Sequence, residues 1–179
     1  MEITSREFWT EFHGIILGAV YLLAFTGGFV SLWDFRSDWI TGAAVRKAAR
    51  RLIAWTWTMA ILAWLTVLVG TYVVYPWYRA KPPAGTAGSA LAQYPKYSLL
   101  ASPKTADWHE FGMEWKEHVA WLVPILATSV ALLVTKHYRL IASDRFLRKS
   151  ILTLYLFAFV AASIAGVFGA FINKAAPLR

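Results

Sequence analysis

The chain has 179 residues with a net charge of +8, and 58% of its residues are hydrophobic. The hydrophobic residues fall into four long runs without a single charge, which excludes an ordinary soluble domain of this size. The sequence has no cysteine, so disulfides, thiolate metal sites, covalently attached c-type haem and cysteine-bound iron–sulfur clusters are excluded as well.

The four apolar runs predict membrane-spanning helices. They occupy residues 14–33, 52–75, 119–135 and 151–172. A helix needs roughly 20 residues to cross a hydrocarbon core of about 30 Å, and each run meets or nearly meets that length. We therefore predict an all-α, integral membrane four-helix bundle that forms a single domain over residues 1–179.

The start of the chain is expected to lie at the membrane interface, because residues 2–12 are amphipathic. Gly14 and Gly18 follow with the GxxxG spacing that lets a neighbouring helix approach closely. Packing against a flat macrocycle is the alternative function of these glycines. A similar seam of small residues, Ala162, Gly166 and Ala170, is predicted in the fourth span.

The positive charge is concentrated in the two short connections, 34–51 and 136–150. An excess of Lys and Arg in short loops marks the cytoplasmic side of a membrane protein. We therefore expect both termini and the long connection 76–118 on the outer, periplasmic side of an inner (cell) membrane protein. The same charges are expected to contact anionic membrane lipid, and nucleic acid is not an expected partner. The cationic residues are Arg36, Arg46, Lys47, Arg50 and Arg51 in the first connection, and Lys136, Arg139, Arg145, Arg148 and Lys149 in the second.

The long connection 76–118 reads as an outer loop followed by the start of a helix. Residues 80–104 are rich in Pro, Gly, Ala and Ser, which predicts irregular structure that docks a partner subunit. Asp107 and Glu110 have the spacing of a capping box, so the third helix is expected to begin there, before the bilayer.

Two histidines, His13 and His118, stand at the starts of the first and third spans. The first and third of four spans run in the same direction, so both imidazoles are expected at the same face and a similar depth. A position at a helix N-terminus favours the neutral ring that a metal ligand requires. Two such rings at one level of a helical bundle predict a haem b with His13 and His118 as axial ligands, and Arg79 or Lys116 as partners of its propionates. The alternative is that both are ordinary interfacial residues.

His109 is a spare histidine on the same side of the membrane. It is an alternative ligand to His118 or the ligand of a second haem, but we expect it to be exposed to solvent. A copper or other metal site built from His109, Glu114 and His118 is a further alternative. Glu110, Glu114 and either Glu117 or His118 fall on one stripe of the helix, whose carboxylates either accept protons from a quinol or cap the helix electrostatically.

Four spans with paired histidines at matching depth resemble the small four-helix membrane b-type cytochromes and the haem-bearing, quinone-reactive anchor subunits of respiratory complexes. Many such cytochromes carry two histidine pairs, whereas this chain has one. The resemblance implies a redox subunit of a respiratory or photosynthetic oxidoreductase. It would hold one haem b or two, and carry electrons between a membrane quinone and membrane or periplasmic redox subunits at the outer face. Tyr72, Tyr75 and Trp77 would then shape a quinol pocket.

A second function from another class fits the same spans. A cofactor-free structural or assembly subunit of a larger membrane complex would show the same apolar runs and small-residue seams, with the histidines as boundary residues. The spans contain no ionisable residue, which argues against an ion channel or a transporter formed by this chain alone.

Overall fold

A computed structural model describes residues 3–36 and 42–178, and these residues form helices and turns without a β-strand. Residues 37–41 of the first short connection lie outside the described part, together with both chain ends. Five α-helices, together with a 3₁₀ segment at Gly88–Gln93, make up the framework. The helices are α1 (Ser5–Trp33), α2 (Ala44–Tyr78), α3 (Pro95–Leu100), α4 (Pro103–Ser143) and α5 (Arg145–Ala175).

The four long helices, α1, α2, α4 and α5, are each long and apolar enough to cross a membrane, as the sequence predicts. Only 17% to 33% of the residues in their most apolar stretches are buried within the protein. The remaining apolar surface would be unfavourable in water and suits contact with lipid chains. The chain is therefore a multi-pass, all-helical membrane protein by the length and composition of its helices.

The helix starts differ from the predicted ones in two places. The third long helix begins before its apolar run, as predicted, but the predicted capping box of Asp107 and Glu110 does not form. The helix begins at Pro103, and the hydroxyl of Ser102 accepts a hydrogen bond from the Lys104 backbone. Proline is favoured at a first helical position, where its missing N–H costs nothing. The predicted irregular loop also contains α3, because Pro95 starts a helix that buries Leu99.

The contacts divide the chain into two compact units. The first unit comprises the described residues of Met1–Gly18, Leu65–Trp121 and Ser163–Arg179. Its core combines side chains of α2, α3, α4 and α5 with the segment that follows α5, and the ring of Trp108 stacks on that of Phe171 at 4.8 Å. The buried members of this core are Tyr78, Leu99, Met113, Ile172 and Ala176.

The second unit comprises Ala19–Trp64 and Leu122–Ala162. Its core is aromatic as well as aliphatic: Phe25 stacks on Phe159 with ring centroids 3.8 Å apart. The fully buried Tyr155 donates its hydroxyl to the Ala24 carbonyl at 3.2 Å. The indole N–H of Trp64 donates to the Thr128 hydroxyl at 3.1 Å, a contact of the kind that joins helices in an apolar environment.

Three π-helical segments interrupt the long helices, and all three belong to the first unit. They are Phe12–Ile16 in α1, Gly70–Val74 in α2 and Trp108–Met113 in α4. A π-helical turn closes its hydrogen bonds over five residues instead of four, and such turns are frequent at functional sites. The three segments include His13 and His109.

The predicted packing role of Gly14, Gly18 and Gly166 is not realised among the residues that the structure describes. A Cβ built at any of the three would meet none of their atoms within 4 Å. The close approaches occur elsewhere, for example at Gly27, where the indole of Trp55 covers the position of a Cβ at 2.6 Å. GxxxG spacing marks a helix face that can accept a neighbouring helix. In this chain, large aromatic side chains pack against other glycines instead.

Candidate functional site

Three of the four histidines, His13, His109 and His118, belong to the first unit, and His137 belongs to the second. His137 interrupts α4, where its backbone leaves the helical conformation at φ −123° and ψ 19°. The three histidines of the first unit have different surroundings.

His13 lies in the π-helical segment of α1, with its ring against Gly70 of α2. A Cβ built on Gly70 would lie 2.7 Å from Cε1 of the ring and 3.3 Å from Nε2. Only glycine leaves room for the imidazole at this position. The Nδ1 atom of His13 is buried and has no hydrogen-bond partner among the described residues, whereas the backbone of Thr66 lies within hydrogen-bonding reach of the ring.

An orphaned buried nitrogen of this kind is rare. Most buried polar side-chain atoms in native proteins have a partner, and the exceptions call for an explanation such as a missing ligand or a redox role. One other buried polar side-chain atom in the described part of the chain has no partner, the indole nitrogen of Trp115. Trp115 belongs to the first unit too.

Lys116 brings a positive charge close to His13. Its ammonium group acts electrostatically on the His13 ring and reaches Gly169 of α5, where a built Cβ would lie 2.5 Å from Nζ. Glycine at 169 therefore makes room for the amine, as Gly70 makes room for the imidazole. A buried lysine is costly unless an anionic partner or a polar function compensates for its charge.

His118 is mainly exposed, with 72% of its side chain accessible. Its Nδ1 atom lies 3.0 Å from the backbone carbonyl of Glu114 and 3.4 Å from that residue's carboxylate. In the tautomer that donates from Nδ1, the Nε2 atom is left as a free acceptor on the surface. Among the described residues, no hydrogen bond or ion pair links His118 with His13.

His109 is buried, contrary to the expectation that it is exposed to solvent. Its Nδ1 atom lies 2.9 Å from the hydroxyl of Tyr78, and only 9% of the residue is accessible. The expectation was wrong because α3 packs against the π-helical segment that carries His109. Tyr78 and His109 are 31 residues apart, and no sequence pattern links them.

Charged groups surround the Tyr78–His109 pair. Arg79 is exposed, donates a hydrogen bond to the Tyr75 hydroxyl at 2.8 Å, and has its guanidinium 5.4 Å from the centre of the Tyr75 ring. The carboxylate of Glu117 lies close enough to act on Tyr75, Tyr78 and His109. The phenol and the imidazole are thus hydrogen-bonded to each other, and the carboxylate lies within electrostatic reach of both.

The alternative metal site from His109, Glu114 and His118 is not present. Residues 3–36 and 42–178 contain no group of three or more His, Asp or Glu side chains placed to hold a metal ion. The buried His109 pairs with Tyr78 while His118 faces outward, so the three side chains do not converge. Gly14 and Gly18, which are predicted to line a cofactor, follow His13 in the sequence. A Cβ built at either position would meet no atom of the described residues within 4 Å.

Comparison of the chain with protein-family models, with curated proteins and with solved structures found no match.

Proposed function

We propose that this chain is a multi-pass subunit of the inner membrane that binds haem b and carries electrons between a membrane quinone and a partner at the outer face. The observation that carries the proposal is the buried Nδ1 atom of His13, which has no hydrogen-bond partner and lies beside a glycine in a π-helical segment. An imidazole with an uncommitted nitrogen in an apolar membrane protein is the side chain that b-type haem requires.

The first unit offers the residues that haem b needs. His13 and His118 are the proposed axial ligands, with His109 as the alternative to His118. A metal-bound histidine usually has its second ring nitrogen fixed by a carbonyl or carboxylate, and Glu114 provides both groups to Nδ1 of His118. Haem b, when bound, supplies a carrier for one electron at a time.

Two cations of the first unit suit the carboxylates of a haem. Lys116 holds its ammonium group against Gly169 and close to His13, where a propionate would compensate for its charge. Arg79 is exposed and is already held by Tyr75, so it is the second candidate for that role. These charges would also favour the reduced form of the carrier, because a nearby cation stabilises added negative charge.

Proton exchange with a quinol is assigned to the Tyr78–His109 pair and Glu117. A quinol gives up two protons together with two electrons, so a site that oxidises it needs proton acceptors as well as an electron acceptor. The imidazole of His109 and the carboxylate of Glu117 are such acceptors. Tyr72 and Tyr75 of α2 would offer aromatic surface to the quinol ring.

The test is a difference spectrum of the purified chain, dithionite-reduced minus oxidised, together with a pyridine haemochrome count of haem per chain. We expect one haem b per chain and a sharp α-band. The band should be lost in His13→Ala and in His118→Ala, and kept in the control His137→Ala, which changes a histidine of the second unit.

Two outcomes contradict parts of this proposal. If His109→Ala abolishes the α-band while His118→Ala keeps it, His109 is the ligand and the assignment of His118 is wrong. If the chain contains no haem when it is isolated together with its native partners, the electron-transfer function is wrong. The cofactor-free structural subunit then takes its place.

A further inference from the structure

A basic groove lies in the second unit, between the end of α1 and the start of α5. It encloses about 440 Å³. Leu32, Trp33 and Arg36 come from the end of α1 and the residues just after it, and the opposite wall comes from the first turns of α5. That wall consists of Arg145, Arg148, Lys149 and Leu152.

The charged side chains among the described residues that line this groove are all positive. Four of its lining residues are Arg or Lys, and the described residues that line it include no carboxylate. Two described carboxylates adjoin lining residues in the sequence: Asp34 follows Trp33, and Asp144 precedes Arg145. Asp144 accepts hydrogen bonds from the backbone N–H groups of Phe146 and Leu147 and so caps α5. Converging guanidinium and ammonium groups are the usual recognition elements for a phosphate group.

One of the cations is held in place by the fold. The guanidinium of Arg148 donates to the backbone carbonyls of Ile141 and Ala142, both at 3.2 Å, near the end of α4. Arg145 and Lys149, in contrast, are exposed and lie on either side of it in the sequence. The groove therefore combines a positioned cation with two that can adjust to a ligand.

An apolar groove continues from the basic one along α1. It is an open depression of about 290 Å³ beside Phe29, Val30 and Trp33, all of which lie on α1. Trp33 lines both grooves, and its ring stacks on that of Phe29 with centroids 6.2 Å apart. From Arg36 back to Phe29, about two helical turns, the surface thus changes from cationic to apolar.

We propose that the two grooves together bind an anionic phospholipid, with its phosphate in the basic groove and an acyl chain along Phe29, Val30 and Trp33. A soluble phosphate ester shares the headgroup chemistry, but it would leave the apolar groove unused. Basic pockets between membrane helices are known sites for anionic lipid headgroups. The site is in the second unit and does not depend on a haem.

The experiment uses the full chain in detergent and native mass spectrometry to count and rank retained lipids. The probes are phosphatidylglycerol, phosphatidylcholine with the same acyl chains, and glycerol 3-phosphate. We expect one phosphatidylglycerol to be retained in preference to phosphatidylcholine. The double variant Arg145→Gln/Lys149→Gln should weaken its binding roughly 30-fold, since it removes two cations near the headgroup.

The control variant is Arg46→Gln/Lys136→Gln, which removes the same two charge types from exposed positions outside the groove. It should leave phosphatidylglycerol binding unchanged. Trp33→Ala should weaken binding of phosphatidylglycerol, because it removes the wall that both grooves share. Equal retention of the two lipids, binding of glycerol 3-phosphate as tight as that of phosphatidylglycerol, or an equal loss in the control would each overturn the proposal.

Discussion

At the residue scale, the chemistry of the first unit depends on how each buried polar atom is satisfied. The imidazole of His109 is paired with the Tyr78 hydroxyl at 2.9 Å, whereas Nδ1 of His13 has no hydrogen-bond partner. A buried group that loses its partner costs more free energy than the hydrogen bond itself contributes, because its desolvation is no longer compensated. The Nδ1 atom of His109 is therefore committed to Tyr78, and His13 is the histidine with an uncommitted buried nitrogen.

The contribution of the Tyr78–His109 hydrogen bond to stability can be measured with the variant Tyr78→Phe. This variant keeps the ring and removes only the hydroxyl, so Nδ1 of His109 becomes a buried atom without a partner. We expect the free energy of unfolding to fall by about 1–3 kcal/mol. The measurement is thermal unfolding in detergent, followed by near-ultraviolet circular dichroism.

The control for that variant is Tyr72→Phe, on the same helix. Tyr72 is 68% exposed. Removing its hydroxyl therefore leaves no buried polar atom without a partner, and the free energy of unfolding should change little. Equal unfolding temperatures for Tyr78→Phe and the wild type would show that the pair does not stabilise the first unit.

At the element scale, the π-helical segments and the glycines explain how polar side chains enter an apolar helix packing. Phe12–Ile16 contains His13, Gly70–Val74 begins with the glycine under its ring, and Trp108–Met113 contains His109. A π-helical turn shifts the side chains that follow it around the helix axis. The segments therefore change which faces of α1, α2 and α4 carry these residues.

The importance of the glycine at position 70 can be tested against a matched position. Gly70→Ala places a methyl group 2.7 Å from Cε1 of His13, so the ring or α2 must shift. Overpacking of this kind costs about 1–3 kcal/mol, which exceeds the roughly 1 kcal/mol that alanine gains over glycine in a helix. We expect a lower unfolding temperature in detergent.

Gly14→Ala is the matched control, because Gly14 also lies in a π-helical segment and its Cβ would meet no atom within 4 Å. It should be neutral or stabilising by up to about 1 kcal/mol. A Gly70→Ala protein as stable as Gly14→Ala would mean that the His13 ring moves freely and is not held by α2.

The sequence predicts the long helices well and the site only in part, for a physical reason. A run of some 20 apolar residues is favourable in a membrane only as a helix, because a helix satisfies its own backbone hydrogen bonds. The spans can therefore be predicted from composition alone. The contact between Tyr78 and His109, the choice of Gly70 over Gly14 as the point of close approach, and the burial of His109 by α3 depend on packing between distant segments. The GxxxG spacing is a local pattern that does not determine which glycines meet a neighbouring helix. The capping-box spacing at Asp107 is also local, and it is overridden by the Ser102 cap and Pro103 four residues earlier.

At the scale of the whole molecule, the distribution of charge predicts how the chain is oriented in the membrane, and the absence of cysteine makes that orientation measurable. The two short connections hold most of the Lys and Arg residues, and the long connection is nearly balanced in charge. Since positively charged short loops are retained in the cytoplasm during insertion, the long connection with α3 is expected outside. The proposed exchange of electrons at the outer face depends on this orientation.

Single-cysteine variants can read the orientation directly, because the natural chain contains no cysteine that would react in the background. Ser89 lies in the long connection and Ser143 at the end of α4, and both are exposed. A membrane-impermeant maleimide should label Ser89→Cys in intact cells and Ser143→Cys only after permeabilisation. The opposite pattern would place the first-unit histidines at the cytoplasmic face. It would leave the helices unchanged, but the electron partner would then have to be sought in the cytoplasm.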